Sequence, residues 1–148
     1  MDIRKAQEVD LEAMNNVITD GVMQWDLPDR VRHLALSSFH YDALDLQYMD
    51  IQVAVDEESF IVGVVACEAT DSPDEILLHG IFVRPNEQRK GLGKLLLRAV
   101  EQGEALSRMK KLLVKPQKEA LNFFRGMGFE RVMSKSNNQY ENLMSKTL

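Results

Sequence analysis

Six consecutive residues, Gln88-Arg89-Lys90-Gly91-Leu92-Gly93, bring two glycines, two cations and an amide to the start of a helix-like run over residues 94–106. Glycine lets the backbone turn tightly and come close to a ligand. A helix start presents unpaired N–H groups and the positive end of its dipole. Lys94 and Arg98 add cations, and no Asp or Glu occurs from Gln88 to Val100. A strand-like run over residues 76–83 leads into the turn. A strand, a glycine turn and a helix N-terminus with net positive charge make a site for phosphate groups.

The kind of phosphate ligand can be narrowed. No Gly-x-x-x-x-Gly-Lys-Ser/Thr occurs, so this is not a Walker-type loop. Gly91 and Gly93 begin like a dinucleotide fingerprint, but Leu96 stands where its third glycine belongs. The stretch fits Gln/Arg-x-x-Gly-x-Gly/Ala and so resembles the pyrophosphate-binding signature of the GNAT (GCN5-related) N-acetyltransferases. The resemblance extends along the chain. Residues 75–83 and the Arg84-Pro85 exit look like the family's central strand, and residues 111–115, stopped by Pro116, like a strand beside it. Ala120-Leu121-Asn122-Phe123-Phe124-Arg125-Gly126-Met127-Gly128-Phe129 resembles the family block Ala-x-x-Phe-Tyr-x-x-x-Gly-Phe. Residues 140–144 look like its last strand, and residues 3–6 with Val9 and Asp10 like its first strand and helix.

The resemblance implies acetyl-coenzyme A as co-substrate, with no metal. Its pyrophosphate would lie on Gln88, Arg89, Lys90, Gly91, Leu92, Gly93 and Lys94. Its pantetheine arm would pair with the backbone of the central strand at Ile81, Phe82 and Val83, in a gap where that strand and residues 111–115 splay apart. Asn122 and Phe124 would line the cofactor channel. Moving an acetyl group from a thioester to an amine requires that the amine lose a proton. For a lysine-like amine of pKa ~10.4 this costs about 4 kcal/mol near neutral pH. A base is therefore useful, as are donors for the developing oxyanion, which the resemblance places at the backbone just after Gly80. Where the family often carries a catalytic glutamate this chain has Leu77. Glu75 and His79 share a strand face with Leu77 by alternation and are the candidate bases. The family's usual general acid, a tyrosine, is replaced by Phe124, whose ring has no proton to give. Tyr140 is the candidate replacement. A coenzyme A thiol, cysteine-like with a pKa of about 8.5, can also leave unassisted. Gln117 stands where the family often has Asn.

The bulk properties are those of a globular protein. The chain has 148 residues, 45% hydrophobic and 28% charged, enough for one domain over residues 1–148 with a buried core. No apolar run approaches a membrane span. Cys67 is the single cysteine, so no internal disulfide forms, and a cytoplasmic location is expected. The net charge of −5 argues against nucleic acid as a partner. The charge is split: residues 1–60 carry 13 acids and 4 Lys/Arg, a net of −9, and the remainder is net +4. That asymmetry suits an anionic cofactor on the second half and a cationic amine, small or peptidic, near the first. His33 and His40 share a helix face but lack further ligands, so no metal site is expected. A homodimer is possible.

The elements that must hold these residues follow from periodicity. Residues 2–6 read as a strand. Asp10 caps a helix to about Met23 with Leu11, Met14, Val17, Ile18 and Val22 on one stripe. Residues 25–28 break it, and Val31, Leu34 and Ala35 resume at helical spacing. Residues 41–50 are ambiguous. Trp25, Tyr41 and Tyr48 lie in the segment that in the family helps form the acceptor pocket. Residues 51–56 and 60–68 form a hairpin. Residues 76–83 are nearly all apolar, as a central strand covered on both faces should be, and Gly80 marks a bulge or a close approach. The expected fold is a mixed, mostly antiparallel sheet of six to seven strands flanked by helices on both faces, GNAT-like in arrangement. The functions it would serve are N-acetyl transfer from acetyl-CoA to a primary amine or, since Leu77 and Phe124 depart from the family pattern, a non-catalytic acyl-CoA-binding or regulatory module.

Overall fold

The computed structural model describes residues 1–132 and 142–148. Seven strands, β1 (Asp2–Lys5), β2 (Asp50–Val55), β3 (Ile61–Ala69), β4 (Glu75–Val83), β5 (Lys111–Val114), β6 (Glu130–Arg131) and β7 (Met144–Thr147), form one sheet in the order β1-β2-β3-β4-β5-β7-β6. Every pairing is antiparallel except β4 with β5, which is parallel. A parallel pair needs a crossover, and α4 (Leu92–Glu101) supplies it. The helices α1 (Leu11–Val22), α2 (Asp29–Phe39), α3 (Ala43–Tyr48) and α5 (Leu121–Gly126) complete the expected mixed α/β architecture.

Each face of the sheet has its own core. On one, α4 buries Leu92, Leu96, Leu97 and Val100 against Val65, Leu78 and Leu112. This stripe leaves Lys94 and Arg98 exposed on the far side of the helix. On the other, α1 buries Met14, Val17, Ile18 and Val22 against Val53, Val64 and Phe82.

Several boundaries differ from the sequence expectation. The ambiguous segment contains α3, because Asp42 and Asp45 cap each other's backbone N–H at 2.9 Å. No residue of α2 is buried; Val31 and Leu34 are exposed, and the helix packs through Ala35, Leu36 and Phe39. The helix after the glycine turn starts at Leu92 and ends at Glu101, and only a 3-10 turn at Glu104–Leu106 follows Gly103. The last strand is Met144–Thr147 rather than residues 140–144, of which 140 and 141 lie outside the described residues. Asp10 does not cap α1 with its side chain. Its carboxylate turns back and accepts from Gln7 N–H at 2.7 Å and from Arg4 Nη1 and Nη2 at 2.8 and 3.0 Å, tying the end of β1 to the start of α1.

The Arg4 hydrogen bonds, together with Gln7 N–H, hold the Asp10 carboxyl below the usual carboxylate range against the opposing effect of burial. A folded-state value below the unfolded one adds stability that is complete above the ordinary aspartate range and is lost as pH falls through the folded value. Asp10→Asn is expected to cost about 1–2 kcal/mol at pH 7, discounted because Arg4 is partly exposed. Urea unfolding should show the difference from the parent protein narrowing toward zero as the carboxylate is protonated.

Candidate active site

The site begins where two strands part. β4 pairs with β5 only from Glu75↔Lys111 to Leu78↔Val114. Beyond Val114 the chain meets Pro116, which is buried and has no N–H to continue a ladder. The second half of β4, from Gly80 to Val83, therefore keeps its pairing to β3 on one side and, among the described residues, has no strand on the other. An unpaired strand edge carries free main-chain donors and acceptors.

A register shift falls at the same point. Ala66 pairs with Gly80 and Cys67 with Leu78, which leaves His79 as the extra residue of a bulge. The bulge reverses the alternation of β4. Ile76 and Leu78 pack on the α4 side, whereas Phe82 packs on the α1 side. A side chain added at Gly80 would meet Phe82 Cε2 at 2.7 Å and Tyr41 Oη at 3.0 Å. Glycine at 80 is what admits the Tyr41 hydroxyl beside the bulge.

His79 is half-buried, and its Nδ1 lies 2.8 Å from Tyr41 Oη. Tyr41 is buried at 4% exposure, and its backbone N–H and C=O are both held by the Asn15 amide at 2.9 Å. Burial, reinforced by the charges of Glu68 and Asp45, pushes the Tyr41 phenol far above the ordinary tyrosine value. The phenol thus keeps its proton at any working pH, and its role at His79 is that of a neutral hydrogen-bond partner. Phe39 lies 5.5 Å from both His79 and Trp25, and Trp25 stacks on Phe82 at 6.3 Å.

Two cavities meet at the open edge. One, of about 320 Å³, is lined by His79, Gly80, Phe82, Trp25, Phe39 and Gln117 among others. The second, of about 730 Å³, runs over the glycine turn and is lined by Arg89, Gly91, Gly93, Lys94, Asn122 and Phe123 among others. Ile81, Val83, Gln88, Glu119, Ala120 and Phe124 border both, so the two form one trough.

The turn itself has the form its composition implies. Arg89 and Gly91 both adopt left-handed backbone, at φ 65° and 82°. Gly91 is the residue before α4, its carbonyl accepts from Leu95 N–H at 3.1 Å, and no side chain caps the helix. The first N–H groups of α4 belong to Leu92, Gly93 and Lys94, which border the larger cavity's end of the trough. A Cβ at Gly91 would have nothing within 4 Å, so the glycine is required by conformation, and the space beside it is open. At Gly93 a Cβ would make only ordinary contact with the Phe123 ring at 3.5 Å. Open space, outward N–H groups and exposed Arg89 and Lys94 fit a pyrophosphate.

The expected site residues divide accordingly. Ile81, Val83, Gln88, Arg89, Gly91, Leu92, Gly93, Lys94, Asn122 and Phe124 border the larger cavity. Val83 O already accepts from Gln88 Nε2 at 3.2 Å, so that carbonyl is engaged. Phe82 is buried on the α1 side and borders only the smaller cavity. Lys90 borders neither; its ammonium lies 3.6 Å from the Glu87 carboxylate. His79 lines the smaller cavity and Glu75 does not. Alternation gives both the same face, but four steps of about 3.3 Å separate them along the strand. Tyr140 lies outside the described residues. Sequence reasoning missed the pairing of Tyr41 with His79 across 38 residues, and the presence of Phe39 and Glu119 in the trough. No local pattern carries those contacts.

A family profile described as an acetyltransferase (GNAT) domain matches residues 36–145, most of the chain. The chain belongs to the GNAT acetyltransferase family. Its fold is similar to that of a PaiA N-acetyltransferase from Thermoplasma acidophilum, solved with coenzyme A, at TM-score 0.83 and 14% identity over 99% of this chain and 98% of that one. It is also similar to Tetrahymena GCN5, at TM-score 0.71 and 16% identity over 99% and 96% of the two chains. An aminoglycoside 6'-N-acetyltransferase complexed with coenzyme A aligns at TM-score 0.69 and 14% identity over 99% and 97%. At such identities the likeness is one of fold. A search of curated proteins gave no match.

Within this GNAT fold Phe124 is 2% exposed and packs edge-on against Phe123 and Phe129 at 5.1 and 5.2 Å. Its ring borders the trough without a donor. Cys67 is buried, which pushes its thiol up to about 12 and makes it a packing residue rather than a nucleophile.

The two glycines predict different outcomes. Gly93→Asp, placing a carboxylate among the N–H groups at the helix start, is expected to weaken coenzyme A binding more than tenfold by calorimetry without unfolding the protein. Gly93→Ala should bind normally, whereas Gly91→Ala should lose about 1–2 kcal/mol of stability from the left-handed backbone. Unaltered coenzyme A affinity in Gly93→Asp would remove the turn from the binding site.

Proposed function

We propose that this GNAT protein transfers the acetyl group of acetyl-CoA to a primary amine, with His79 as the base. The observation that carries the reading is His79 itself: bulged from β4, tied at Nδ1 to a buried phenol, and facing the cavity that joins the trough over the glycine turn. Acetyl-CoA, when bound, supplies an activated acetyl carbon whose bond to sulfur breaks as the new carbon–nitrogen bond forms. The chain's own residues do the rest. The amides of the turn and the α4 start hold the pyrophosphate, with Arg89 and Lys94 beside them. Main-chain groups of the open β4 edge align the pantetheine arm and the acetyl oxygen. In the tautomer whose Nδ1–H donates to Tyr41 Oη, Nε2 keeps its lone pair and accepts the proton the amine gives up. The fixed phenol sets the ring orientation, so Tyr41 is a positioning residue. Phe124 gives no proton to the sulfur, and a thiolate of cysteine-like basicity leaves without one.

Phe124 also favours a second reading, an acyl-CoA-binding module that has lost transfer. Free thiol release decides between them. Acetyl-CoA bound by the turn but never hydrolysed or transferred in the presence of any amine tested would leave only the module.

For transfer, His79→Ala is expected to lower kcat/KM for the amine about 100-fold and to abolish the limb of the pH–rate profile that reports the base. Tyr41→Phe should lower it about tenfold and shift that limb, with coenzyme A affinity unchanged, because the ring loses its partner but not its place. Glu75→Gln should leave the profile as it is. A profile intact in His79→Ala would transfer the role elsewhere.

A further inference from the structure

The smaller cavity is an aromatic slot as well as a place for the base. Trp25 stacks on Phe82 with the rings 27° apart, and Phe39 stands edge-on to both, at 88° and 71°. Phe39 also touches His79, so the rings run without interruption from Trp25 to the base. The wall is fixed in advance. Trp25 N–H donates to Val22 O at 3.0 Å, and Arg32 Nη1 donates to the carbonyls of Met23 and Trp25 at 3.3 Å, holding the end of α1 where the ring projects. Trp25 and Phe39 are only partly buried, so they retain surface toward the cavity.

The charges of the slot are few. Among the described residues, Lys115 and Glu119 are the only formally charged side chains bordering it. A carrier of several ammonium groups would find no set of carboxylates among those residues. One ammonium is favoured at the His79 end, where Glu68 and Asp45 lie close enough to Tyr41 to act on its phenol. The net −9 over residues 1–60 draws a cation to this side of the molecule.

We propose that the acceptor is a primary amine with a single positive charge on a flat apolar body, of the arylalkylamine class, and that Trp25 and Phe39 receive that body. This rests on reading the slot as the acceptor side of the transferase. A planar group on the Trp25–Phe39 wall gains aromatic packing at little cost in ordering, and a short alkyl tether brings its amine past Phe39 to His79. Before deprotonation the ammonium is also attracted to the ring faces.

The chain has one tryptophan, so its fluorescence reports from this wall. Phenethylamine, butylamine and spermidine should be titrated separately into the full-length protein saturated with coenzyme A. Phenethylamine is expected to change Trp25 fluorescence saturably at a concentration at least tenfold below the other two. Phe39→Leu should erase that preference with coenzyme A affinity unchanged, and Trp25→Leu should erase it when binding is followed by calorimetry. Spermidine or butylamine saturating at the same or lower concentration, no saturable signal with phenethylamine, or an unaltered preference in both folded variants would overturn the proposal. Free thiol measured with acetyl-CoA in the same series separates the two readings. Phenethylamine binding without thiol release keeps the slot's specificity and sinks the transfer reaction.

Discussion

The candidate site depends on the separation of β4 and β5 after four paired residues. A continuous parallel ladder would satisfy the main chain of His79 to Val83 and close the trough. Pro116 prevents it, because it brings no N–H and turns the chain away just past Val114. The price is a strand edge in the middle of a seven-stranded sheet that is unpaired among the described residues, which a folded sheet normally avoids. Here the exposed groups face a cavity, where a linear ligand rich in amides can satisfy them. The bulge at His79 depends on the same geometry. It turns Phe82 to the α1 side and leaves the imidazole beside the open edge.

The polar core of the site is small and tightly fixed. Asn15 on α1 holds both backbone groups of Tyr41, and Tyr41 holds His79. A buried phenol whose proton cannot leave is a better anchor for an imidazole than a carboxylate would be, since it adds no charge that must be desolvated. Gly80 completes the arrangement by leaving room for the hydroxyl. On the other side of the trough the donors are main-chain amides at a helix start, which need no side chain to orient them. One end of the trough therefore offers backbone N–H groups, and the other an imidazole held by a phenol. Phe124, between the ends, contributes shape alone.

Much of this was readable from the chain. The glycine turn, the apolar central strand and the strand stopped by Pro116 are local patterns, and each stands where its residues imply. Other features were not readable. Glu75 and His79 alternate onto one face in any strand, but only the length of pairing with β5 shows which of them reaches the cavity. Val31 and Leu34 have the spacing of a buried stripe, yet α2 packs through Ala35, Leu36 and Phe39, because its main neighbour is α1 rather than the sheet. Asp10 reads as a helix cap until Arg4 competes for its carboxylate.

The sequence by itself determined the glycine turn, since left-handed backbone at Gly91 and a cationic helix start are properties of adjacent residues. It also determined the central strand and the family pattern those two carry. Tertiary structure alone decided which of Glu75 and His79 lines the cavity, what holds the imidazole, and which aromatic rings stand beside it. These depend on contacts between residues far apart in the chain, such as Tyr41 with His79 and Trp25 with Phe82, and on a one-residue shift in strand register. Hydrophobic periodicity gives a residue its face only in an unbroken element, and it specifies neither the bulge that switches the face nor the neighbour met there, which only the packed sheet supplies.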